Sequence, residues 1–418
     1  MKLSHFAFAA ACVSALAAPA FADTTVTVLH VNNVPSAVAL WDKIAADYNA
    51  EHKGVKVQFK FLENEAFKAK LPTMLQSADS RPDLFYSWAG GVMKAQYQAG
   101  FLKDITKDVA SVESTMVPAA VDAFKVDGKA VGVPFQMGEV VFYYNKKLFE
   151  KAGVKAEDIK TWDDFLGAVK KLKAAGITPI VVGAGEKWPM HFYYSYLIIR
   201  IGGEHALADA KAGNDGGFKN ATFVEAGKRL RELAELDPFQ PGYLQTSHAQ
   251  SAGIFGDGKA AMDLMGDWLL GMQGPNSTNG KGLPEEDVGI LSFPTVAGGK
   301  GKPTDTFGGI NGFLVTKSAP AEAVDFLEFF SQPKYAQQAA ATGAYIPVVK
   351  GASAAIKDPL IKRMAEDLAA TTYHQNYLDQ DLGPSLGRVI NDVSVSVAAG
   401  EMTPEAGAAA IQDAAEQQ

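Results

Sequence analysis

The chain has 418 residues, of which 47% are hydrophobic, and a formal net charge of -8. That length and hydrophobic content exclude a disordered chain and allow two domains with sizeable cores. Lysine and arginine form no long cluster, so neither nucleic acid nor an anionic membrane surface finds its electrostatic footprint.

Residues 1–22, MKLSHFAFAAACVSALAAPAFA, place Lys2 ahead of an apolar run from Phe6 to Ala18. They end in Ala20-Phe21-Ala22, the small-x-small pattern that a signal peptidase cuts. The run is short for a bilayer span, and Pro19 interrupts its end. A core helix at the N-terminus is the weaker competing reading. Cleavage after Ala22 leaves a soluble chain from Asp23, outside the cytoplasm and in the periplasm of a Gram-negative source. Cys12, the only cysteine, lies in the removed segment, so the mature chain has no internal disulfide to form. A lipoprotein would acylate Cys12, but the alanines before it lack the usual aliphatic residue three places upstream. Removal of Lys2 takes the net charge to -9. No later apolar run reaches transmembrane length.

The mature chain opens with alternating strand and helix. Thr24 to Val31 is β-branched and apolar; Pro35 to Tyr48 carries Val38, Trp41, Ile44 and Tyr48 at helical spacing, and Gly54 stops it. Val55, Val57, Phe59 and Phe61 alternate with polar residues, a strand. Ala66 to Ala78 reads as a helix despite Pro72, and Asp83 to Ser87 as a short buried strand. This order predicts a parallel sheet with right-handed crossovers. A second unit follows: a strand over Val140–Tyr144, a helix capped by Thr161 and Asp164, and a strand over Ile177–Val182. Helices come next over Phe192–Ile201 and Phe223–Leu236, then a strand over Lys259–Met265 and a surface loop over Gln273–Glu286. Thr306 to Val315 is extended and glycine-rich, with a helix from Pro320 to Phe330. The chain ends in an alanine-rich helix starting near Thr403-Pro404-Glu405.

In open parallel sheets, ligands bind beyond the carboxyl ends of the strands. That rule sorts the five tryptophans. Trp41 lies mid-helix and Trp162 in a first helical turn, both as core residues. Trp88, Trp188 and Trp268 each follow a predicted strand, beside residues that permit tight turns. Any one of them is as readily explained by closing a local hydrophobic cluster. Together they predict flat plates lining one cleft, suited to the C–H face of a sugar ring. Asn32 and Asn33, Glu63 and Glu65, and Asp267 stand at other strand exits and would serve the ring's hydroxyls.

Catalytic signals are thin. Ala249-Gln250-Ser251-Ala252-Gly253 resembles a nucleophile elbow, but its first residue is Ala and no strong strand precedes it. HExxH, a Walker loop and a complete GxGxxG are missing. The mature histidines (His30, His52, His191, His205, His248, His374) lack ligand-like spacing, so no metal or cofactor is expected. Carboxylates are plentiful, which leaves a glycosidase pair open.

Several segments carry a family resemblance. They are Arg81 to Trp88 (RPDLFYSW), Gly128-Lys129 through Val133-Pro134 with Tyr144 to Phe149 (YNKKLF), and Thr161 to Phe165 (TWDDF). Gly308 to Phe313 (GGINGF) and Gly400 to Ala406 (GEMTPEA) complete the set. In this order the chain resembles the family 1 extracellular solute-binding proteins of ABC transporters, sugar-binding proteins of the maltose-binding type. The resemblance implies an α/β fold, the two-lobed type II periplasmic-binding-protein architecture with an interlobe ligand cleft. It implies lobes of residues 23–137 with 308–333 and 138–307 with 334–418. It also implies a carbohydrate ligand, a membrane permease as partner and a monomeric receptor with no catalysis. Trp88 and Trp268 fall on stacking positions, Trp188-Pro189 on another aromatic wall of the cleft, Asp379 on a segment that reaches the ligand, and Gly309 and Asn311 on the second crossing. Where relatives place an acidic contact this chain has Gly138, with Glu139 one place on. The alternatives are a secreted carbohydrate-active hydrolase and a receptor for another polar solute, such as a polyol. A phosphorylated ligand would call for basic residues at strand exits, where Lys187 is the obvious one.

Overall fold

A computed structural model describes residues 24–417. The leader, its cleavage site and Cys12 lie outside these residues. One nine-stranded sheet runs through the molecule. Its main path is Val55–Phe61, Thr24–His30, Leu84–Ser87, Thr306–Val315, Gly132–Asn145, Ala260–Gly266 and Thr178–Val181. His374–Asn376 joins beside Thr306–Val315, and Val288–Leu291 beside Gly132–Asn145.

The expected parallel set forms: Thr24–His30 pairs in parallel with both Val55–Phe61 and Leu84–Ser87. Helix Pro35–Glu51 covers it, because Ala37, Leu40, Trp41, Ile44 and Tyr48 fall on one face and are buried. Trp41 stacks on Phe59 with ring centres 5.5 Å apart and meets Phe313 at 5.3 Å. In the other half Phe293 is sandwiched by Tyr196 at 4.6 Å and Phe142 at 5.6 Å. Arg200 is buried beside them, its guanidinium donating to the carbonyls of Phe293, Lys302 and Asp305. Those bonds are what make a buried charge tolerable.

The halves are joined by two long strands that run antiparallel, unlike the parallel set. Gly132–Asn145 pairs with Thr306–Val315 from Gly132↔Leu314 to Glu139↔Gly308, with an irregularity at Asn311/Gly312. Beyond that, Val140–Tyr144 pairs with Ala260–Gly266. The sheet therefore changes partners around residues 136–139 and 308–311. The backbones are in close contact there: a Cβ on Gly308 would lie 2.0 Å from the Gly138 carbonyl oxygen.

Some segments depart from expectation. Helix Leu269–Asn276 takes the first residues of the predicted loop, since Leu269, Met272 and Gln273 are buried and the helix packs on His248–Gly256. Pro72 sits inside helix Asn64–Gln76 without stopping it, with Phe67, Leu71 and Leu75 buried. Strands Val288–Leu291 and His374–Asn376 had no clear sequence signal. Helix Pro333–Ala341, expected with the second lobe, packs on Pro35–Glu51, and Tyr335 donates its hydroxyl proton to Asp47.

Gly308→Ala tests the crossing. Its methyl group meets backbone rather than a movable side chain, so a loss of about 1–3 kcal/mol is expected in urea denaturation. An unchanged midpoint would contradict the close pairing.

Candidate functional site

The strand exits of both halves converge on a cavity of about 350 Å³, within the roughly 300–1,000 Å³ of small-molecule sites. One wall follows the parallel strands. Asn32 Oδ1 accepts the Val34 N–H at 2.9 Å, closing the turn that leads to helix Pro35–Glu51. Glu63 caps helix Asn64–Gln76, its Oε2 accepting the N–H groups of Glu65 and Ala66. One turn on, the Lys68 ammonium lies 5.6 Å from the Trp88 ring centre and 3.4 Å from Asp379 Oδ2. Trp88 packs edge-on to Tyr86 and Phe67.

The opposite wall is built around Glu186. Its Oε2 accepts the Trp188 indole N–H at 2.9 Å, and its Oε1 the backbone N–H of His248 at 2.9 Å. The Trp268 indole N–H donates to His248 Nε2 at 3.1 Å. An indole only donates, so His248 Nε2 is the acceptor and the ring proton sits on Nδ1. Burial pulls the His248 pKa down to about 4 and keeps the ring neutral. Burial also raises the Glu186 carboxyl, against the two N–H donors that favour its charge. This chain of bonds holds Trp188 and Trp268 with ring centres 6.4 Å apart at 57°.

The floor comes from the crossing strands and the C-terminal segment. Gln136 and Asn311 face each other in the ladder. Tyr377 stacks on Phe192 at 5.6 Å. Asn311 Oδ1 and the Tyr377 hydroxyl have no partner among the described residues. Burial pushes the Asp379 carboxyl up, but Lys68, His191 and the Gln380 and Asn391 amides outweigh it and hold it below its ordinary value.

Of the residues singled out from sequence, Trp88, Trp188, Trp268, Asn32, Asn33, Asn311, Glu63 and Asp379 meet at this cavity. Four others are placed elsewhere. Asp267 turns to the crossing strand, where its Oδ2 accepts from Gln136 Nε2 at 3.0 Å. Glu139 is buried with Oε2 unpartnered. Glu65 is on the first helical turn and accepts from Asn64 at 2.7 Å. Gly309 acts by its missing side chain, since a Cβ there would lie 2.1 Å from the Tyr377 ring. Adjacency in the chain does not put neighbouring side chains on one face. The supposed elbow is helical, within His248–Gly256, and the Ser251 hydroxyl donates to the His248 carbonyl. Lys187 bonds Asp392 at 2.6 Å and is not on the cavity wall; Lys68 is. Glu186, His248, Lys68 and Tyr377 were missed. Glu186 two places before Trp188, and Lys68 three after Glu65, were the available signals. Among the described residues no group of three or more His, Cys, Asp or Glu could hold a metal ion.

Three buried carboxyls carry a pH dependence. Burial pushes Asp263 to about 8, Glu139 to about 8 and Asp267 to about 7. The fold thus keeps protons that the unfolded chain releases near its ordinary value of 3.8 for Asp or 4.5 for Glu. Their stabilisation is fully present below about pH 4 and is lost as the pH rises to about 8. Each contributes a slope of up to about 1.4 kcal/mol per pH unit. Asp263→Asn is expected to flatten the fall in stability between about pH 5 and 8 in urea titrations; an equal slope in both proteins would count against it.

Comparison with known proteins agrees with this geometry. A Pyrococcus horikoshii ABC transporter extracellular-binding protein, itself uncharacterized, is 26% identical over 79% of this chain and 73% of its own length. A second protein of that organism is 27% identical, over 60% of this chain and only 56% of the relative. The diacetylchitobiose binding protein of Streptomyces coelicolor is 25% identical over 78% of this chain and 74% of its own. Among solved structures, one from work on xylan utilization by Caldanaerobius polysaccharolyticus is similar with a TM-score of 0.85 at 26% identity. That match covers 93% of this chain and 99% of the other. A chitin oligosaccharide binding protein gives 0.83 at 25% identity, over 94% and 98%. These likenesses carry the two-lobed α/β solute-receptor fold, and the relatives are binding proteins rather than enzymes. The model of the bacterial extracellular solute-binding proteins matches residues 33–337, and the chain belongs to that family.

Proposed function

We propose that this protein is the sugar receptor of an ABC importer, exported to the periplasm with its leader cut after Ala22. It captures a saccharide in the cavity between its lobes and passes it, as a monomer, to the membrane permease. The observation that carries this reading is the convergence of Trp88, Trp188 and Trp268 on one cavity, with two of the indoles locked by Glu186 and His248. Flat apolar plates with a rim of unsatisfied polar groups suit a ring that is apolar on its faces and hydroxylated at its edge. Asn311 and Tyr377 supply such groups. The relatives named for diacetylchitobiose and for chitin oligosaccharides support a saccharide.

Charge narrows the ligand. Glu63, Glu186 and Asp379 line the cavity against the single ammonium of Lys68, which already faces Asp379. A sugar phosphate or uronate would meet an acidic excess there, so the ligand is a neutral sugar. Both Glu186 oxygens are taken by N–H donors, which suits a carboxylate that positions plates rather than transfers protons. The lobe division follows the crossing strands: residues 23–137 with 308–333, and 138–307 with the chain from 334. The helix Pro333–Ala341 is the exception, packing on the first lobe. Ligand touching both lobes favours the closed arrangement and shifts the population towards it.

A thermal-shift screen against xylose, N-acetylglucosamine and their short oligomers tests the reading. A ligand of the folded state raises the melting temperature. At least one series is expected to do so without being shortened, and a panel with no shift would overturn the assignment. Trp268→Ala is expected to weaken the active sugar by roughly 1–4 kcal/mol in calorimetry; full affinity in that variant would remove the stacking role.

A further inference from the structure

Two large hydrophobic side chains stand exposed among the described residues, Phe61 at 50% and Val117 at 38%. Only Phe61 lines the cavity. Its position follows from strand geometry. Val55, Val57, Phe59 and Phe61 share one face. Val57 is buried and Phe59 is covered by Trp41. Phe61 is the last residue of its strand and passes the end of that layer. It touches His30, with ring centres 5.8 Å apart, and the rest of its ring is uncovered. The backbone beneath is fixed: Phe61 pairs with His30 in the ladder, and the Leu62 N–H donates to the His30 carbonyl at 2.9 Å. The plate is therefore held by the sheet rather than by a loose loop.

Polar groups flank it. Asn33, also on the cavity wall, is exposed and its side chain has no partner among the described residues. Glu63, two residues on from Phe61, uses Oε2 for the helix N-terminus and leaves Oε1 for other donors. An uncovered ring that shares its wall with an amide and a carboxylate oxygen repeats the arrangement of the indoles, and Phe61 is more exposed than any of the three. An exposed phenyl ring is costly to hydrate and gains from cover.

We infer that Phe61, with Asn33 beside it, is an outer subsite that stacks a second sugar unit, so that the receptor's ligand is an oligosaccharide rather than a monosaccharide. The inference rests on the sugar-receptor reading and adds to it the length of the ligand. Phe61 becomes the residue that reads chain length, while the tryptophans grip the first ring.

The test is calorimetry of the wild type, Phe61→Ala and Phe61→Tyr with mono-, di- and trimers of xylose and of N-acetylglucosamine. In the wild type, affinity is expected to rise from monomer to dimer. Phe61→Ala is expected to weaken the dimer and trimer by about three- to tenfold and to leave the monomer within about twofold, with Phe61→Tyr restoring the difference. A wild type that binds monomer as tightly as dimer, or a Phe61→Ala that weakens all lengths equally or none, overturns the outer subsite and leaves the sugar reading standing. A wild type that binds no saccharide of either series overturns both. Far-ultraviolet circular dichroism and the melting temperature of each variant separate a lost contact from a lost fold.

Discussion

The pairing of Gly132–Asn145 with Thr306–Val315 is the constraint on which the architecture depends. It is the place where one sheet serves two lobes. Glycines make room at its middle: Gly308 brings backbone against backbone, Gly138 admits the Asp267 carboxylate and Gly309 the Tyr377 ring. The strand exits on both sides of the ladder open towards the same space. The sheet changes partners at residues 136–139 and 308–311, where two residues of that space's floor lie. Gln136 and Asn311, opposite each other in that ladder, are also floor residues.

The cavity's polar groups divide by task. Glu186 and His248 are spent on holding indoles, and Asp267 on holding the crossing strand through Gln136. Asp379 and Lys68 hold each other across the cavity wall. What is left for a ligand is a smaller set: the amide oxygen of Asn311, the Tyr377 hydroxyl, the amide of Asn33 and Glu63 Oε1. This division explains why a cavity rich in carboxylates acts as a receptor. Each acidic group inside it is already answered by a donor or a cation, and no two of them are left to act as an acid and a base on a substrate.

Much of the fold was legible because its signals are local. The alternation of Val55 to Phe61, the spacing of Trp41 among apolar residues, and the Thr161–Asp164 capping box each specify an element without reference to distant residues. The sorting of the five tryptophans was legible for the same reason: Trp41 and Trp162 are core, and the other three meet at the cavity. What was not legible depends on long-range pairing. Strand His374–Asn376 exists because Thr306–Gly308 offers it an edge. Helix Leu269–Asn276 runs on through Pro275 because it packs on His248–Gly256, an apolar contact that outweighs the composition of its end. Asp267 was expected at the site from its strand exit, and Glu139 and Gly309 from the family resemblance, but which way a side chain turns there is set by long-range packing. His248 carried no sequence signal, since a lone histidine beside a helix start is ordinary.

The indole–imidazole bond between Trp268 and His248 has a consequence for acid tolerance. A protonated imidazole donates from both nitrogens and has no lone pair to offer an indole. Charging His248 would therefore set two donors against each other in a buried place. With its pKa near 4, the ring stays neutral across the mildly acidic range in which an ordinary histidine would titrate. In this bond the receptor uses the residue type best known as a pH switch as a fixed acceptor, so that souring of the medium leaves this plate where it is.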